Sequence, residues 1–543
     1  MTKNVWRGVI ALFAGVLIGV LVQPIIAGDN IYNQMKKYEY ILNTAMKNYV
    51  DEVDSDKLTE GAIKGMLNEL DPHSVYIDAN EMKKVEEDFQ GSFEGIGVQF
   101  EVLNDTITVV AAISDGPSEK VGIQAGDKII KIDGEKAVGM KQDEVPKKLR
   151  GAKGTTVKLD IKRGNDPNFL TFEIVRDKIP LYTVDAAYKM DNSDVGVIVV
   201  NRFAATTFDE MMEAARKLKA QGMKKLVLDL RNNPGGYLNQ AFYMADAFLG
   251  REDTIVYTLG RRPEFNEAFV SKPGDELEDI PLVVLINEGS ASASEIVSGA
   301  LQDLDRGLIV GETSFGKGLV QRQYPVGDGS AFRLTISRYY TPSGRSIQRP
   351  YKDKDEYRRL FGRLELEEGA NIDHTLEKLK KEGHSDKINF DSIEVYHTRS
   401  GRMVLGGGGI TPDYIIKQDT LTKFAVQLLS RRVLSEYVIN GLQNGAELKK
   451  KYGDNFADFH KNFQVTDQMI ADIRKLADTK GVEWNDKEYK TDADYIKTVI
   501  KAQLARSIWD RNRYIEVYFD IDRQMQKALA LFPEAEKIAK LRK

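Results

Sequence analysis

Apolar and polar positions change rhythm repeatedly along the chain, and each change predicts a change of element. Residues 1–30 hold a nearly unbroken apolar run over 8–22, preceded by Lys3 and Arg7 and interrupted at Gln23 and Pro24. Residues 31–88 carry helical spacing, with Tyr38, Ile41, Leu42, Ala45 and Met46 on one stripe and Leu58, Ile63, Met66 and Leu67 on the next, until Pro72 breaks it. From 89 to 177 the period falls to two. Alternating runs at 107–112, 128–132 and 156–163 predict strands around a short helix at 144–149. From 178 to 418 short apolar runs at 195–200, 226–230, 282–286 and 308–310 alternate with helical stretches at 207–221, 237–249 and 293–304. That alternation predicts an α/β core. A further strand at 331–340 sets charge outward and bulk inward. Residues 419–543 return to helical stripes throughout, which points to core or subunit interface.

The densest chemistry lies in 281–321, PLVVLINEGSASASEIVSGALQDLDRGLIVGETSFGKGLVQ. A strand, a turn at 287–289 and a helix place Ser292 at the helix mouth, where an oxyanion meets free N–H groups at the positive end of the dipole. A second strand then leads to Lys317 between Gly316 and Gly318, one strand–helix–strand crossover away. Serine and lysine therefore reach the same sheet edge. The five histidines, at 73, 374, 384, 397 and 460, are all distant in sequence, whereas a lysine can act as base if burial disfavours its ammonium form. Gln321, four residues beyond Lys317, is spaced to hold the amine. Upstream, the strand of LVLDLRNNPGG (226–236) stops at a glycine turn before a helix, a second place where N–H groups are presented.

GSASASE, GETSFGKGLVQ, LDLRNNPGG and LTISRYYTPSGRSIQ together resemble the carboxyl-terminal processing (tail-specific) proteases, serine peptidases with a Ser/Lys dyad and a crotonase-like α/β core. The resemblance runs in order over roughly 70–418. It implies Ser292 as nucleophile, Lys317 as base, Gln321 as its orienter, and the N–H groups of Gly235 and Ala293 as the oxyanion hole. It implies no cofactor and no metal. Two other readings compete for the same residues. Ser290, Ser292 and Ser294 suit a helix packed closely on a sheet. Residues 311–318 fall one residue short of a phosphate-binding loop, with Gly318 where a magnesium-ligating hydroxyl belongs.

Residues 89–177, with GIGV at 95–98 and GPSEKVGIQAGDKIIKIDG, resemble a PDZ domain. In such a module Gly95, Ile96, Gly97 and Val98 present backbone N–H groups to a tail carboxylate, and a strand edge takes the tail as an added strand. Arg150, just after the short helix, is a candidate sensor between domains. The family pattern is interrupted by an insertion at 350–408, with helical spacing around Leu376 and Leu379 and a strand-like 392–397; a lid and a surface ornament are both open.

Composition narrows the function classes. With 42% hydrophobic and 29% charged residues, a net charge of −5 and no cysteine, the chain has no nucleic-acid footprint, disulfide framework or thiol nucleophile. The leading charges and apolar run predict export across a membrane, with the segment either removed as a signal peptide or kept as an anchor in the cell envelope, on the periplasmic side. The expected organisation is thus a signal or anchor (1–30), a helical region (31–88), a PDZ domain (89–177), a protease core (178–418) and a helical domain (419–543) offering a homo-oligomer interface. The expected activity is an endopeptidase that captures protein C-terminal tails and cuts near them. The rival is a non-catalytic scaffold that only binds tails.

Overall fold

The short apolar runs of the middle of the chain assemble into one six-stranded sheet, ordered Val184–Lys189, Val195–Val200, Lys225–Asp229, Leu282–Ile286, Leu308–Gly311 and Tyr414–Ile415. The first pair is antiparallel and the rest are parallel. Parallel strands need cover on both faces, and Leu282–Ile286 is buried at every position. Alternate residues supply two cores. On one face Leu226, Leu228, Val284 and Ile286 join Met211, Met244, Ile296 and Ala300 from the helices Thr207–Ala220, Leu238–Asp246 and Ala293–Asp303. On the other, Val227, Val283, Leu285 and Val310 join Phe519, Met525, Phe532 and Ile538, from the last helical stretch of the chain.

This computed structural model describes residues 29–113, 116–164, 166–274, 276–351, 371, 394–440 and 442–541. They fall into two compact units, one of residues up to 78 with 323–334, the other of 79–322 with 335 onward. In the first, helices Asp29–Asn48 and Ser55–Asn68 precede strand Val75–Ile77, which pairs antiparallel with residues 331–333. The apolar stripes of these helices are mostly outward. Tyr38, Ile41, Met46, Leu58 and Met66 are exposed, and of the two stripes only Leu67 is buried. The apolar run of 8–22 lies outside the described residues, among which no helix is long and apolar enough to cross a membrane.

In the second unit the β-rich module forms its own sheet, ordered Val98–Leu103, Thr106–Ala112, Lys128–Ile132, Thr156–Lys162 and Leu170–Val175. Ile107, Ile129, Val157, Leu159 and Ile174 make its core with Val145 and Leu149 of the helix Val145–Leu149. Strand Val98–Leu103 stands at the sheet's edge.

Residues 419–543, expected to be one helical domain, divide between two cores. Phe424, Leu428, Phe459, Ile473, Ile496 and Ile500 pack among themselves, whereas the helices Arg511–Tyr518, Arg523–Ala530 and Phe532–Leu541 cover the sheet. Most apolar side chains of those stripes are thus buried within the chain, while Val426 and Leu429 stay exposed. Of the insertion, the expected helix around Leu376 and Leu379 lies outside the described residues. Its return is a hairpin, Val395–His397 with Met403–Leu405. Arg402 pins that hairpin to Asp305 and Asp413, each at 2.7 Å.

Candidate active site

Lys225–Asp229, Leu282–Ile286 and Leu308–Gly311 are parallel neighbours, so the chain leaves all three at one sheet edge, where open α/β sheets place their ligands. The three loops leaving that edge carry Gly235, Ser292 and Lys317.

The serine triplet is resolved by burial and bonding. Ser290 donates from Oγ to Leu230 O at 2.8 Å and Ser294 to Asn233 O at 2.9 Å. Both are fully buried, so they tie the helix mouth to the neighbouring loop in the packing role weighed for the whole triplet. Ser292 is half-buried and caps the helix Ala293–Asp303 in a left-handed conformation, φ +53°, ψ −107°. Such backbone costs a β-carbon residue about 1–3 kcal/mol and persists only where neighbours fix it.

Glu295 is the first of those neighbours. It is fully buried. Its Oε2 accepts the N–H groups of Ser292 (2.7 Å) and Lys317 (2.9 Å). Its Oε1 accepts the N–H of Gly316 (2.7 Å) and the hydroxyl of Ser314 (2.6 Å). Burial pushes its pKa up, opposed by these four donors. The glycine-bounded loop thus aims its N–H groups at a carboxylate of the same chain, the position a phosphate would need.

Tyr339 supplies the matching contact on the carbonyl side. Its hydroxyl faces Ser292 O at 3.1 Å and Lys317 O at 2.6 Å. Burial, with Glu295 nearby, raises its pKa well above the usual tyrosine value, so it stays a proton donor. Lys317 Nζ donates to Gln321 Oε1 at 2.9 Å, and both residues are half-buried.

Gly235 packs against the serine as expected. A β-carbon there would lie 2.9 Å from Ser292 Cβ and 2.9 Å from Ala293 N. Its N–H, however, is not turned to the site. It donates to Asn233 Oδ1 at 2.9 Å, and Asn233 is itself fixed by Val200 O at 2.9 Å. Of the expected pair of oxyanion donors, Gly235 thus has its N–H engaged within its own loop, while Ala293 is the first residue of the helix. Beside this loop Arg231 is nearly enclosed, bonded to Asp229 at 2.6 Å and Asp522 at 2.7 Å. Burial works against its charge, but the two aspartates more than offset that and hold its pKa above the ordinary arginine range.

In the β-rich module Gly97 has φ +73° and Val98 opens the edge strand. Gly95 pairs instead with Asp177. The Ile96 side chain is buried in the module's core, leaving only its backbone to meet a ligand. Along the edge, the N–H of Val102 is taken by Gln142 Oε1 at 3.0 Å. Arg150 pairs with Glu87 at 2.5 Å and stacks on Phe93 at 4.3 Å, so it does touch an element outside the module. One group among the described residues could hold a cation, Asp191, His460 and Glu516, two of them in a tail where none was expected. His460 already meets Asp520 and Glu516 meets Arg513.

Sequence reasoning missed Glu295, Tyr339 and Asp522. The first had a visible signal, since an acidic residue three positions after a helix-capping serine is the capping-box spacing.

Comparison with known proteins places these elements. Residues 194–357 match peptidase family S41 and 95–174 match the PDZ domain. Residues 24–81 match the N-terminal domain of the activating protease CtpB, and 424–510 match a family of unknown function. A carboxy-terminal-processing protease of Bartonella bacilliformis is 42% identical over 63% of this chain and 80% of its own length. The carboxy-terminal processing protease CtpA of Bacillus subtilis is 34% identical over 74% and 87%. A probable CtpA-like serine protease of Staphylococcus epidermidis is 39% identical over 58% of this chain, which spans 63% of that protein.

Proposed function

The chain belongs to the carboxy-terminal processing proteases, serine-type peptidases with a PDZ domain, and from that premise we propose that Ser292 is its nucleophile and Lys317 the base. The observation that carries this reading is the shared anchoring of the two residues. Both N–H groups meet one oxygen of Glu295, and both carbonyls meet one hydroxyl of Tyr339. Two loops that start on different strands are thereby tied, at the backbone of 292 and of 317, to one carboxyl and one phenol, which supports a nucleophile and a base meeting there.

Neutral Lys317 Nζ takes the hydroxyl proton as Ser292 Oγ attacks the peptide carbonyl carbon. The oxyanion is stabilised by the Ala293 N–H at the helix mouth. Gly235 serves by having no side chain where Ser292 must approach. As the carbon–nitrogen bond breaks, the lysine passes its proton to the leaving amine and an ester remains on Ser292. Water then attacks that ester and gives its proton to Lys317 Nζ, and Ser292 Oγ recovers that proton from the lysine as the ester bond breaks. Gln321 holds the amine in place between steps.

The substrate's C-terminal tail lies along the edge strand Val98–Leu103, its carboxylate at the backbone of 95–98. A tail that pairs there must replace Gln142 at Val102 N. Arg150, through Glu87, connects this groove to the helix Ala79–Gln90. Residues 1–30 direct the chain across a membrane into the cell envelope, as cleaved signal or retained anchor, so its substrates are exported proteins.

Ser292→Ala and Lys317→Ala should each yield a folded chain that no longer digests an unfolded protein bearing an apolar tail. Undiminished cleavage by either variant contradicts the pair. Since the amine must be neutral, wild-type kcat should rise with pH through an apparent pKa below about 10.4, the unperturbed lysine value.

A further inference from the structure

We propose that Tyr339 is a positioning residue for the reaction, whose hydroxyl sets the Lys317 amine in reach of Ser292. The inference rests on the Ser292/Lys317 reading and adds to it what fixes the base. Lys317 sits between Gly316, at φ +86°, and Gly318. Glycine on both sides gives the loop close approach to its neighbours, since a β-carbon at 316 would meet Arg349 Cβ at 3.1 Å and one at 318 would meet Gln348 N at 2.9 Å. The same glycines have little intrinsic preference for one conformation, so the loop's own backbone does not fix where Lys317 sits. Something outside the loop must choose it.

The N–H side of that peptide is held by Glu295. The carbonyl side is held by Tyr339, which grips the loop twice: its own N–H donates to Gly318 O at 3.0 Å, and its hydroxyl faces Lys317 O at 2.6 Å. The same hydroxyl faces Ser292 O at 3.1 Å. One buried proton is thus shared between the carbonyls of the proposed nucleophile and base, and Tyr339 is only 1% exposed. Without the hydroxyl both carbonyls lose their common partner while the ring still fills its site. The fold should survive and the register between amine and Oγ should loosen.

The test is Tyr339→Phe, measured beside wild type, Ser292→Ala, Lys317→Ala and Tyr340→Phe on one tail-bearing unfolded substrate from pH 6 to 10. Tyr340 is the adjacent strand residue, stacked on Tyr257 at 5.2 Å, and controls for general damage to the strand. Tyr339→Phe should lose about 10- to 100-fold in kcat, as a misplacement near one ångström does, with KM within about twofold. Its apparent pKa should move up toward that of a free lysine, while Tyr340→Phe keeps the wild-type profile. Wild-type kcat with an unmoved profile in Tyr339→Phe, equal losses in both tyrosine variants, or a Tyr339→Phe chain that no longer folds would each overturn the inference while leaving the pair standing. Activity in Ser292→Ala or Lys317→Ala would instead overturn the pair.

Discussion

Glu295 gathers four donors around a carboxyl that burial alone would neutralise. A glutamine in its place keeps one acceptor but turns an N–H₂ group toward N–H donors. Glu295→Gln should therefore lower stability by about 1–3 kcal/mol and kcat by about 100-fold, read by thermal unfolding and turnover. The pH dependence has a definite sign. A folded-state pKa raised above the unfolded value means the group's contribution is complete below the unfolded carboxyl pKa and is lost as pH rises through the folded one. The wild-type advantage in unfolding temperature over Glu295→Gln should thus be largest in acid and shrink as pH rises through the raised folded-state pKa. At this scale the sequence was legible wherever a residue's chemistry and its place in an element pointed together. It set Ser292 at a helix mouth and Gln321 where it meets the Lys317 amine, and the structure has both placements. Glu295 was not read because its partners at 314, 316 and 317 lie across a crossover, and Tyr339 because alternation along a strand says that a side chain points inward without saying what it meets.

The strand–loop–helix pieces that form the site are braced from behind by elements from the far end of the chain. Asp522 caps the helix Arg523–Ala530 through Met525 N at 2.9 Å and takes Arg231 at 2.7 Å, so a C-terminal helix start is bonded to the loop that carries Gly235. Asp522→Ala should cost about 2 kcal/mol, a hydrogen bond to a charged group together with a cap. It should reduce kcat more than KM, since the loop beside Ser292 loosens while the tail groove is untouched; denaturant titration and steady-state kinetics measure both. The element boundaries at the sheet were readable from short apolar runs, and Val195–Val200, Leu282–Ile286 and the strand Ala331–Tyr340 stand where the pattern sets them. That last strand does not alternate cleanly, because residues 332–336 are all half-buried. The amphipathic period of residues 511–541 was equally plain. Which surface it covers was not, since a stripe reports only that some apolar partner exists.

In the larger unit the PDZ domain is docked on the helical module by a small set of polar contacts. Asn104, at the tip of the hairpin joining Val98–Leu103 to Thr106–Ala112, gives its amide to Glu436 at 3.1 Å and accepts from Lys480 at 3.2 Å. Lys480 and the buried Glu436 pair at 2.6 Å, and Arg506 reaches Gln99 at 2.7 Å. The module that matches a family of unknown function thus backs the strand along which a tail would bind. Asn104→Ala should speed amide exchange in residues 98–103 several-fold and leave exchange in Leu282–Ile286 unchanged, as mass-resolved hydrogen exchange can report. No single-residue pattern foretold this docking, because its members lie more than 300 residues apart in sequence. The most direct measurement of the central claim is the location of the acyl group during turnover. The chain is mixed with an activated ester of a short peptide, quenched in acid and mapped by mass spectrometry. The adduct is predicted on Ser292 in wild type, greatly diminished in Lys317→Ala and absent at every position in Ser292→Ala; an acyl group on another side chain that turns over, or cleavage that persists in Ser292→Ala, would contradict it.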